Sequence, residues 1–277
     1  VTSLRGNAMI RLPQPHLPVV TLSDRGRQRQ NNEDRLRVSG LARAHTPEQP
    51  LLLAVLADGM GGHQAGEVAA ELAVTKVEEF VIEHGDTLPP IPLLVEALRY
   101  ASQVIYTQGQ RNSDQSGMGA TCTCALIQEK HLYIANVGDS RVYLIRNGHP
   151  YRLSVDHTWV QEALDNGWIT REEAIHHPQA HMIRQFLGSA NPPEVDVRLR
   201  LSAHESDQQS HANQGLLLES GDVVLLCSDG LSDLVEDEEM AHLLTHWPPE
   251  SATRLLVDLA NQRGGHDNIS LIVISVP

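Results

Sequence analysis

The sequence predicts an α+β fold, an α/β/β/α sandwich in which two antiparallel β-sheets pack face to face and helices cover their outer sides. Three observations carry this prediction. Strand-like apolar runs follow one another at 120–127, 131–137 and 141–145 with only short turns such as QEK and GDS between them, and connections that short join antiparallel neighbours. Two helix-like segments precede that group, and two more lie just before a closing strand. No internal repeat and no linker divides the 277 residues into separate cores.

Taken in order, residues 1–17 contain Pro13 and Pro15 and read as an irregular arm laid over a domain occupying 18–277. The first strand is expected at 19–23, and after a polar, arginine-rich turn its partner returns at 34–38. SGLARAHTPEQP from Ser39 reads as a loop before the apolar run 51–57. From 65 to 83, Val68, Leu72, Val77, Phe80 and Val81 recur near helical spacing. A second amphipathic helix at 93–111 follows the break made by Pro89, Pro90 and Pro92. Residues 156–184 turn polar and helix-leaning, and strand character resumes at 195–201. SAHESDQQSHANQG from Ser202 reads as a mobile loop. Strands at 216–218 and 223–227, helices at 237–245 and 250–261 and a strand at 269–276 complete the chain.

Composition narrows the function. Thirty-five acids against 21 Lys and Arg leave a formal charge of -14, which argues against nucleic acid or an anionic membrane surface as partner. No apolar run reaches the roughly 18 residues that span a bilayer and no secretory pattern opens the chain, so a cytoplasmic location without membrane insertion is expected. Cys122, Cys124 and Cys227 fall inside strand-like runs and read as buried thiols.

The functional signal is an acid repeated at strand ends. LLLAVLADG, LYIANVGDS and VVLLCSDG each run an apolar strand into Asp58, Asp139 and Asp229, and HDNISLIVI sets Asp267 ahead of the last strand. Any one of these is ordinary turn chemistry. Four together, with Glu33 and Asp34, would repel one another unless a positive charge sat among them. Carboxylates without matching His or Cys donors suit hard cations, Mg²⁺ or Mn²⁺, whose bound water becomes acidic enough to attack phosphorus.

The motifs SDRGRQRQNNED, ADGMGGHQAGE, GMGATCTCAL, NVGDSRVYL, VDHT, CSDGLSD and GGHDNISLIV, in that order, resemble the metal-dependent Ser/Thr protein phosphatases of type 2C in their bacterial form. The resemblance implies hydrolysis of phosphoserine and phosphothreonine by a water bridging two Mg²⁺ or Mn²⁺ ions, with a third ion alongside. Phosphorylated proteins would be its substrates and a cognate Ser/Thr kinase its opponent; a monomer is expected. On the matching positions, Asp58 bridges the two central ions beside the Gly59 carbonyl, Asp229 and Asp267 complete the second, and Glu33 and Asp34 hold waters around the pair. Asp139 shares the third ion with Asp229. Arg29 falls where the family grips phosphate, as a guanidinium fork can; Arg25 and Arg27, in the same turn, read equally well as solvated.

The resemblance further implies a flap at about 156–184 bordering the site, where His157 and its polar neighbours are expected to steer phosphopeptides. Met60 follows Gly59 where eukaryotic relatives commonly carry a histidine proposed as general acid. His63 reads first as a capping or packing residue. Other phosphate chemistries lack their motifs: there is no GxxxxGK[ST], no GxSxG and no cysteine placed beside an arginine as a thiolate nucleophile. The rival reading is a catalytically inactive phosphatase fold used for binding or scaffolding. Asp58, Asp229, Asp267 and Arg29 are all retained, which favours an enzyme.

Overall fold

The computed structural model describes residues 9–43, 46–61, 65–175 and 177–277, so His63 lies outside the described residues. The first strands are β1 (Ile10–Arg11), β2 (Val19–Asp24), β3 (Arg35–Arg43), β4 (Thr46–Ala57) and β5 (Gly59–Met60). Helices α1 (Ala65–His84) and α2 (Pro90–Arg111) lead to β6 (Gly119–Ala120), β7 (Cys122–Gln128), β8 (His131–Val137), β9 (Arg141–Arg146) and β10 (His149–Arg152). Short helices α3 (Trp159–Asp165), α4 (Arg171–Ile175) and α5 (Asp207–Ala212) follow. The chain ends with β11 (Leu216–Leu217), β12 (Val223–Cys227), α6 (Asp229–Ser232), α7 (Asp237–His246), α8 (Pro249–Gln262) and β13 (Ile269–Ser275).

Two antiparallel sheets form the centre. One runs β1-β3-β4-β7-β8-β11, the other β10-β9-β12-β13-β2, and β5 pairs with β6 beside them. Alternation along the strands explains the layering, because successive side chains point to opposite faces. Leu52, Ala54 and Leu56 of β4 face inward and meet Val142, Leu144, Leu226 and Ile272 of the second sheet. Leu53 and Val55 face outward onto Ala69, Ala73 and Val77 of α1 and Leu94 and Leu98 of α2. Tyr143, Leu225, Cys227 and Leu271 cover the opposite outer face beneath α7 and α8. Buried on both faces, these strands read as continuous apolar runs, and the three cysteines are free and buried among them as expected.

Four local expectations are corrected. Within the stretch after Ser39, residues 39–43 and 46–50 are strand, not loop: β3 pairs with β4 from Arg35↔Ala57 to Ala42↔Pro50, and burial of Leu41 and Ala42 outweighs the turn-prone Ser39 and Gly40. A Cβ on Gly40 would lie 2.6 Å from the Gln14 carbonyl oxygen, so glycine there lets the N-terminal arm cross closely. That arm is not wholly irregular, since β1 pairs with β3, and Arg11 joins Arg37 and Ser39 in donating to the buried Glu78 carboxylate of α1. Residues 195–201 make only the bridge Asn136↔Asp196, because Leu199 N–H turns to Ser210 and Arg200 N–H to Leu153. The expected mobile loop contains α5, started by a capping box between Ser206 and Gln209. No helix among the described residues is long and apolar enough to cross a membrane.

Leu226 is fully buried between the sheets, one residue before Cys227 in the strand that delivers Asp229. Leu226→Ala is expected to cost about 2–5 kcal/mol, measured as a lower urea midpoint with an unaltered slope.

Candidate active site

Each acid sits where a strand of one sheet or the other ends. Asp58 follows β4, and its backbone is clamped on both sides by Thr121: Asp58 N–H donates to Thr121 Oγ1 at 3.1 Å and Thr121 N–H donates to the Asp58 carbonyl at 2.8 Å. Thr121 is buried and pairs with Ser140 Oγ at 2.8 Å, next to Asp139 in the turn between β8 and β9. Asp229 opens α6 directly after β12, and Asp267 stands just before β13. Asp34 lies below them at 2% exposure, its Oδ2 accepting from Ser228 Oγ at 2.9 Å.

The arginine turn is fastened to this edge by Asn268. Its Nδ2 donates to the Arg25 and Asn31 carbonyls, each at 2.9 Å, and its Oδ1 accepts from Glu33 N–H at 2.8 Å. Gly26, at φ +76°, lets the turn lie directly on the Asp267 backbone, where a Cβ would be 2.1 Å from the Asp267 carbonyl oxygen. Gly59 serves α1 in the same way, since a Cβ there would lie 2.1 Å from the Gly66 carbonyl oxygen. Thr121, Ser228 and Asn268 were missed by the sequence reading; for Asn268 the available signal was an amide between an acid and the start of a strand.

Arg29, Glu33, Asp58, Gly59, Asp229 and Asp267 line one cleft of about 500 Å³. Asp34 and Asp139 are more deeply buried, and both act electrostatically on their neighbours in the cleft. Burial, then Asp34, Asp229 and Asp139, push the Asp58 carboxyl well above the ordinary 3.8. Burial raises Asp34 to about 7 against the hydrogen bonds of Ser270 and Ser228, and raises Asp229 to about 6 with help from Asp233 and Asp267. Asp139 is pushed well up by burial and by Asp229. Arg29 donates through Nη2 to Asp267 Oδ2 at 2.5 Å and remains 57% exposed.

Arg25 and Arg27 are exposed and do not line the cleft. His157 is not brought to it either. Its side chain is only 11% exposed, with Nδ1 accepting from Gly138 N–H at 3.3 Å and Nε2 3.6 Å from Asp196 Oδ2. The ring fixes the turn before Asp139, which removes it from the reach of a peptide. His181, on the same 156–184 segment, does line the cleft.

The side chains fit a hard divalent cation. The buried Oδ1 atoms of Asp34, Asp139 and Asp229 have no hydrogen-bond donor, and the acids lining the cleft offer oxygen ligands. Among the described residues no three His, Cys or acidic side chains converge on one point, so a cation would be held by few carboxylates and by water, as Mg²⁺ commonly is.

The two-sheet sandwich is shared with solved phosphatase structures. A Streptococcus agalactiae serine/threonine phosphatase superposes with a TM-score of 0.79 at 32% identity, covering 95% of this chain and 100% of the other. The catalytic domain of the serine threonine protein phosphatase PstP in complex with 2 manganese ions gives 0.72 at 33% identity, covering 94% and 99%. The Listeria innocua serine/threonine phosphatase stp is 32% identical over 91% of this chain and 93% of its own length. The family model for protein phosphatase 2C matches residues 20–163. The chain belongs to the protein phosphatase 2C family.

The raised acids set a pH dependence. With folded values near 7 and 6 against 3.8 unfolded, Asp34 and Asp229 bind protons more tightly in the folded chain. Their contribution to stability is therefore complete below the unfolded value and lost as pH rises through the folded ones. In chelator, the urea midpoint is expected to fall between about pH 5 and 7.5. Asp156 and Asp196 do not oppose this: burial there is outweighed by arginine and histidine contacts, so they are already ionised. Burial lowers His16, which works in the other direction, so Asp34→Asn provides the reference. The fall should be smaller in that variant, and Mn²⁺ should restore the parent's midpoint at the higher pH.

Proposed function

We propose that this chain hydrolyses phosphoserine and phosphothreonine in cytoplasmic phosphoproteins, using bound Mg²⁺ or Mn²⁺ and opposing a Ser/Thr kinase. The observation that carries the reading is the set of buried carboxylate oxygens without donors, gathered beside an exposed arginine. Two divalent cations, when bound, supply an acidified water and offset the phosphate charge. Asp58 would bridge them with the Gly59 carbonyl beside it, and Asp229 and Asp267 would complete the second. Glu33 and Asp34 would hold the surrounding waters, and Asp139 with Asp229 would hold a third ion.

Arg29 presents a guanidinium fork at the cleft, suited to two phosphate oxygens in bidentate geometry. Its contact with Asp267 pre-positions it without burying it. Asn268 and Gly26 hold the turn that carries it, and Thr121 holds the Asp58 backbone against the repulsion of its neighbours. The inactive-scaffold reading has no support, since Arg29, Asp58, Asp229 and Asp267 line the same cleft.

The test is Mn²⁺-dependent release of phosphate from a phosphothreonine peptide. Arg29→Ala is expected to lower kcat/KM by about 100-fold, and Asp229→Asn to lower it at least as far. Absence of release by the parent, or undiminished release by Asp229→Asn, contradicts the proposal.

A further inference from the structure

Cleaving a phosphoserine or phosphothreonine ester expels an alkoxide, a poor leaving group unless it is protonated as the bond breaks. A positioned acid typically contributes 10²–10⁴-fold to such a step. The sequence puts Met60 after Gly59, and a thioether has no proton to give. Arg29 stays charged and serves as a phosphate ligand rather than an acid. The Glu33 carboxylate packs against α1, where a Cβ on Gly66 would lie 2.2 Å from its Oε2.

We propose that His181 protonates the leaving serine or threonine oxygen, with Asp233 fixing the orientation of its ring. The proposal rests on the phosphatase reading above. His181 is the histidine among the described residues that line the cleft, together with Arg29, Glu33, Asp58, Asp229 and Asp267. Its Nδ1 lies 3.1 Å from Asp233 Oδ2, and its side chain is 70% exposed. With Nδ1 engaged by the carboxylate, Nε2 is the nitrogen left for a substrate.

The ring is held from two directions. Asp233 caps α6, the helix that Asp229 begins, so the carboxylate orienting the ring is fixed relative to the acid cluster by one short helix. The segment carrying His181 is tied to the start of α3: Trp159 N–H donates to the Met182 carbonyl at 2.9 Å, Arg184 N–H donates to the His157 carbonyl at 2.7 Å, and Thr158 bridges Ile183. Arg141, His266 and Asp156 also act on Asp233, as do Asp229 and Asp139.

In the step, the attacking water oxygen bonds to phosphorus and the phosphorus–ester bond breaks. The electron pair leaves on the ester oxygen, which takes the Nε2 proton and departs as the serine or threonine hydroxyl. The ring is left neutral with Nδ1–H on Asp233. Nε2 recovers from solvent a proton equivalent to the one the attacking water surrendered.

The experiment compares parent and His181→Gln, with Mn²⁺, on a phosphothreonine peptide and on aryl phosphates of graded leaving-group acidity. An aryloxide as stable as p-nitrophenolate needs little protonation. The substitution is expected to lower kcat on the peptide about 100-fold and on p-nitrophenyl phosphate at least about tenfold less than that, with a steeper dependence of rate on leaving-group acidity across the aryl series. Equal losses on peptide and p-nitrophenyl phosphate, or parental kcat on the peptide, overturn the assignment of His181. A parent inactive on every substrate overturns the phosphatase reading itself.

Discussion

Asp34, Asp58, Asp139 and Asp229 are withdrawn from water close enough together that each makes it harder to charge the next. Two like charges about 4 Å apart in a protein interior of effective dielectric about 20 repel by about 4 kcal/mol, several times what an exposed ion pair contributes. The acids can be kept there only by a frame stiff enough not to yield, or by protons or cations among them. The two sheets provide the frame. Strands buried on both faces leave no room to relax; Thr121 and Asn268 tie neighbouring strand ends within each sheet, and Ser228 reaches across the sandwich to Asp34.

The same constraint shapes the rim. Among the acids lining the cleft, Asp267 is the one ion-paired to an arginine, and Arg29 lines the cleft beside it. Glycines at 26 and 59 appear where backbone must approach backbone, so Gly59, directly after Asp58, is a packing device for the N-terminus of α1. Chemistry is thereby divided among distant segments: acids from strand ends, an arginine from a stapled turn, and a histidine from the segment between the two halves of the fold.

What the sequence disclosed follows from how local each signal is. Strand-to-acid junctions are legible because a long apolar run ending in Asp needs no knowledge of its neighbours. The long helices α1 and α2 are legible because their apolar spacing is internal to them. Ser39 to Pro50 misled because Gly, Thr and Pro signal turns locally, whereas pairing of β3 with β4 is decided across the sheet. Residues 195–201 misled in the opposite sense, since apolar alternation there buries side chains without a ladder to join. The burial of His157 and the placement of His181 beside Asp233 are tertiary facts, invisible to spacing.

Divalent cations are expected to replace protons among these carboxylates. Calorimetric titration of Mn²⁺ into the chelator-stripped protein at about pH 6, in buffers of different ionisation enthalpy, measures that exchange directly. Net release of protons on binding, diminished in Asp34→Asn, is the result expected. Binding without proton release, or no binding, would contradict it.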